Sequence, residues 1–208
     1  MRSALDSFEQ SLKADLSDLA YDMGDTLFSS ASGLPIFSLL KTASSIQNLL
    51  FGRKVMRFLG SLKDIPYSDR VKFLERAVGS RQSTGDLYLL LLNTLNGLNQ
   101  EEKADIVGFI FKLMIYEDIS IEVGLKLITI VSRLDFTDLR KISHLEEDAL
   151  LINQHLIDSL SGTGTLTSWF QNLPADVEGY PAPYRLNQIG KALLNTMKKY
   201  EEYIGSQS

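Results

Sequence analysis

Apolar residues recur at steps of three and four along most of this chain, and the runs that carry them are cut apart by small residues, glycines and prolines. That rhythm suits a packed set of amphipathic helices. The first run is Leu5, Phe8, Leu12, Leu16, Leu19 and Met23, with Ser3 as its N-cap. Ser29-Ser30-Ala31-Ser32-Gly33 breaks it, and Pro35 suits the first turn of a second helix with the stripe Ile36, Leu40, Ala43, Gln47 and Leu50. Gly52 is expected to pause that helix before Val55, Phe58, Leu59 and Leu62 continue on a third, ending near Asp64-Ile65-Pro66. Ser68 and Asp69 open the element Val71 to Val78, which Gly79 closes. Leu87 to Leu92, apolar on every side, reads as a central buried helix that starts at Thr84 or Gly85 and stops at Gly97 and Asn99. Glu101 and Glu102 open the next helix, which buries Ile106, Phe109, Ile110, Leu113 and Met114. Ser120 caps another through Val131, and Asp135 to Leu160 supplies one or two more.

The tail has a different pattern. Gly162 to Phe170 looks extended, Pro174 to Pro183 is turn material, Tyr184-Arg185-Leu186 reads as a returning strand, and Asn187 to about Tyr203 forms a last helix with Ile189, Ala192, Leu193 and Met197 on one side. The expected fold is therefore mainly α, a bundle of six to nine helices with a small C-terminal β-hairpin. The expected division is a helical bundle over 1–135 and a winged-helix-like unit over 136–208.

Composition narrows the chemistry. With 208 residues, 44 % of them apolar and 23 % charged, the chain can bury a real core. It has no cysteine, which removes disulfides, thiol nucleophiles and thiolate metal sites together. The N-terminal residues lack a basic stretch followed by an apolar one, as a secretory signal needs, and polar residues interrupt the apolar stretch Leu34 to Phe51 that comes nearest to a spanning helix. A cytoplasmic place, at most peripheral to the inner membrane, is expected. Only His144 and His155 offer imidazoles, so acid–base chemistry would fall to carboxylates at helix starts and on polar faces; no catalytic residue is assigned and no cofactor expected. His144 with Glu147 falls short of the three ligands a metal requires, and Gly162-Thr163-Gly164 lacks the third glycine and the lysine of phosphate-binding loops.

One segment departs from the acidic whole. Lys41, Arg53, Lys54, Arg57, Lys63, Arg70, Lys72, Arg76 and Arg81 stand against Asp64, Asp69 and Glu75, nine against three or +6 locally, in a chain of net charge −5. Grease adjoins this charge, so Ile36, Phe37, Leu40, Leu50 and Phe51 are candidates for burial against a partner, and Lys41, Arg53, Lys54 and Arg57 for attraction to it. A protein partner, a second copy of the chain or an anionic membrane surface fits such a region. The bland alternative is internal neutralisation by the acidic N-terminal helix or by Glu101 to Asp118. Nucleic acid fits less well: Arg185, Lys191, Lys198 and Lys199 in the tail are offset by Asp176, Glu178, Glu201 and Glu202.

Two resemblances accompany these readings. The run Tyr184-Arg185-Leu186-Asn187-Gln188-Ile189-Gly190-Lys191-Ala192-Leu193-Leu194 resembles the strand-plus-helix ending of bacterial winged-helix domains, with Asn187 where threonine is usual. Leu34-Pro35 to Arg57, Phe58-Leu59 through Ile65-Pro66, Arg70 to Leu74 and the acidic helical middle are together similar to bacterial helical proteins of the abortive-infection alpha type. The second resemblance implies a role in phage defence or immunity and carries no catalytic residues; the first implies a DNA-binding regulator as the alternative.

Overall fold

Helix α1 (Ile46–Gly60) runs without interruption through Gly52. The break expected there is absent because an interior glycine costs only about 1 kcal/mol relative to alanine, while Val55, Phe58 and Leu59 bury almost completely on the helix that continues past it. The computed structural model of the chain describes residues 46–79, 84–147, 151, 153–168 and 184–206. The expected first helix and the start of the second, with their caps, lie outside these residues.

Helix α1 stops at Gly60, earlier than expected, and Leu62 and Ile65 bury from a chain of turns in which Leu62 N donates to Leu59 O and Ile65 N to Leu62 O. Helix α2 (Tyr67–Gly79) starts after Pro66, whose carbonyl accepts from Asp69 N and Arg70 N. It is followed by α3 (Thr84–Gly97), α4 (Glu102–Ile115), α5 (Ile121–Arg133), α6 (Phe136–Ser143) and α7 (Gln154–Ser161). Strands β1 (Leu166–Ser168) and β2 (Tyr184–Leu186) precede α8 (Gln188–Gly205). Eight helices and one two-stranded sheet thus stand among the described residues. The protein is mainly helical with a small antiparallel hairpin near its C-terminus.

The described residues fall into two compact units, one ending at Gly124 and one beginning at Leu125. In the first, α4 holds a central place. Eleven of its residues are buried, from Lys103 to Ile115, whereas on α3 Leu91 and Leu95 bury and Leu90 stays 38 % exposed. Helix α1 packs along α4 and α3, and α2 packs on α4 and α3. The approach of α1 to α4 is close at Gly108, where a β-carbon would lie 2.6 Å from Ser61 Cβ and 2.9 Å from Phe58 O. Three rings pin the arrangement: Phe111 on α4 meets Phe58 on α1 edge-on at 5.2 Å and Phe73 on α2 at 6.1 Å.

Helix α4 ends in a Schellman turn. Asp118 N donates to Leu113 O and Glu117 N to Met114 O, with Glu117 in the left-handed region at φ 64°. Arg76 reaches across from α2 to donate to Ile115 O and pairs with the Glu117 carboxylate, so two elements hold the turn. Ser120 begins α5 as expected, its hydroxyl accepting from Val123 N.

In the second unit Asp135 precedes α6, and Asn153 caps α7 by accepting from Leu156 N at 3.1 Å. The strand register pairs Leu166 with Leu186, Thr167 with Arg185 and Ser168 with Tyr184, and Leu151 adds a single antiparallel bridge to Tyr184. Asn187 does two jobs. Its Oδ1 accepts from Ile189 N and Gly190 N at the start of α8, and its Nδ2 donates to Gly164 O across the hairpin. Helix α8 buries Leu193, Leu194, Met197 and Tyr200 and packs on α6 and β2.

Candidate interaction surface

Ile36, Phe37, Leu40 and Lys41 lie outside the described residues. The other candidates all stand on α1, where helical geometry sorts them into two groups. Leu50, Arg53 and Arg57 follow steps of three and four and face outward: Leu50 is 42 % exposed, and the Arg53 and Arg57 side chains are 45 % and 42 % exposed. Phe51 is half-buried, and Lys54 lies between it and the inward residues Val55 and Phe58.

Burial gives Lys54 a structural task. Its Nζ donates to Asn96 O at 3.2 Å and to Leu98 O at 2.5 Å, supplying donors to carbonyls that the end of α3 leaves unmet. Enclosure pushes its ammonium below the ordinary lysine range, against the opposing pull of the Glu101 charge. Lys54 is therefore a strut and not an exposed attractor. Lys54→Met should lower stability by about 2 kcal/mol, because a buried carbonyl and a part-buried one lose a charged donor. Urea unfolding at neutral pH measures this, and an unchanged midpoint would show the bonds contribute nothing.

The two outward arginines meet acids of α4 and its N-cap. Arg57 donates from Nε and Nη2 to Asp105 Oδ2 at 2.9 and 2.6 Å, and Arg53 lies 3.5 Å from Glu101. The hydrogen bonds it donates to Asp105 raise the Arg57 guanidinium further. Asp105 also titrates above the usual carboxylate range, since burial, helped by the neighbouring Glu102, outweighs the bond and charge of Arg57. Further along, Lys72 sits 3.8 Å from Asp69, and Arg76 serves the Schellman turn. Much of the local excess of positive charge is thus answered by acids, two of them forty-eight positions away in sequence.

A second cluster went unremarked in the sequence. Asp138 on α6, its side chain 2 % exposed, accepts from Lys141 Nζ at 2.9 Å and from Ser159 Oγ on α7 at 2.7 Å, and His155 Nδ1 lies 3.7 Å away. The only sequence hint was an acid between Phe136 and Leu139 at a position that a helix turns inward. The serine hydroxyl points to the carboxylate and not to the imidazole, so the group lacks the nucleophile–base bond of a hydrolytic triad. Burial pushes the Asp138 carboxyl up, but bonds from Lys141 and Ser159, aided by the charges of Lys141 and His155, hold it below the ordinary range. A depressed folded-state value means stability present above the unfolded value, about 3.9, and lost as pH falls through the folded one. Asp138→Asn should cost about 2 kcal/mol at pH 7 and less near pH 3. Denaturation of both proteins at the two pH values checks it; a pH-independent difference would assign the effect to packing.

Among the described residues no group of three histidine, cysteine or acidic side chains is placed to hold a metal ion, and no helix is long and apolar enough to cross a membrane. His144 and Glu147 are both exposed. Helix α7, which leads into the hairpin, contains neither lysine nor arginine and exposes Gln154, His155 and Asp158. No family model, curated protein or solved structure matches the chain.

Proposed function

We propose that this is an interaction protein without catalytic machinery, which engages a protein partner through the outer face of α1. The observation that carries this reading is the exposed row Leu50, Arg53 and Arg57, apolar at one end and basic along the rest. An exposed leucine beside two half-exposed arginines has the composition of an interface core and its rim. A protein surface suits the row better than a bilayer, because lipid phosphates would have to compete with Glu101 and Asp105 for the two guanidiniums. The test joins light scattering after size exclusion, which reads self-association, to flotation with anionic and neutral vesicles. Association that Leu50→Asp abolishes, with helicity kept, supports the reading. Salt-sensitive flotation on anionic vesicles alone, weakened tenfold or more when Arg53 and Arg57 are both reversed, would replace the protein partner by a membrane. A phage-defence setting rests on the resemblance described above; plating of phage on cells carrying the wild type or Leu50→Asp tests it.

The order α7, β1, β2, α8, with Leu151 bridging Tyr184, favours a second reading as a winged-helix DNA-binding regulator. The absence of basic residues on α7 weighs against it. DNA binding would show steep salt dependence and loss on changing Arg185 or Lys191, and a flat response in a duplex shift removes this reading.

A further inference from the structure

We draw no further inference here: the strongest candidate, the side-chain cluster of Asp138, Lys141, His155 and Ser159 between α6 and α7, belongs to the site already described and has both oxygens of its buried carboxylate engaged from within, Oδ1 by Lys141 and Oδ2 by Ser159, so that nothing among the described residues points from it to a ligand.

Discussion

Phe111→Ala should remove about 4–6 kcal/mol from the unit that ends at Gly124, combining the loss of a buried ring with the loss of two edge-on ring contacts. Phe111 is the ring that both Phe58 and Phe73 touch, so its removal leaves α1 and α2 without their shared aromatic contact on α4. A loss of that size rivals the whole stability of a small domain. Urea unfolding followed by far-ultraviolet circular dichroism measures it. Phe111→Leu, which keeps much of the volume, should cost about 1–2 kcal/mol. A Phe111→Ala protein within about 1.5 kcal/mol of wild type would show that the ring is not central to the packing.

Gly190→Ala should destabilise the other unit by about 3 kcal/mol, against what helix propensity alone predicts. In a helix interior alanine is favoured over glycine by about 1 kcal/mol. Here the added β-carbon would sit 2.4 Å from Thr165 O and 3.0 Å from Leu186 Cδ2. The carbonyl cannot easily retreat, because it accepts from Asn187 N at 2.9 Å where the hairpin meets α8. The sign of the change decides between the two effects. Thermal unfolding of Gly190→Ala at or above the wild-type midpoint would mean that the helix and the hairpin do not approach as closely as described.

Much of the fold was legible because it is written in local spacing. The cap at Ser120, the start of the last helix at about Asn187, the returning strand Tyr184-Arg185-Leu186 and the apolar side of α8 are each decided by residues within a few positions of one another. Gly52 misled because a single glycine is a weak break when the helix on either side is held by packing. Leu90 departs from the all-buried reading of Leu87 to Leu92 because composition gives how apolar a helix is, while its neighbours decide which residues are covered. On the candidate surface, the common face of Leu50, Arg53 and Arg57 follows from helical steps alone. The inward turn of Lys54 was readable from its place between Phe51, Val55 and Phe58. The pairing of Arg57 with Asp105 and the convergence of His155 and Ser159 on Asp138 were not, since contacts across many residues depend on how helices dock.

The pairing of Arg53 with Glu101 and Arg57 with Asp105 has a kinetic consequence. Each arginine presents itself to a distant molecule as half of a dipole, whose field decays faster than that of a lone charge and is damped further beyond a Debye length of about 8–10 Å. The partner proposed for this face would therefore gain little guidance from afar, and recognition would begin only once surfaces nearly touch. The association rate should sit near the unsteered range of about 10⁵–10⁶ M⁻¹ s⁻¹ and change little between low and physiological salt.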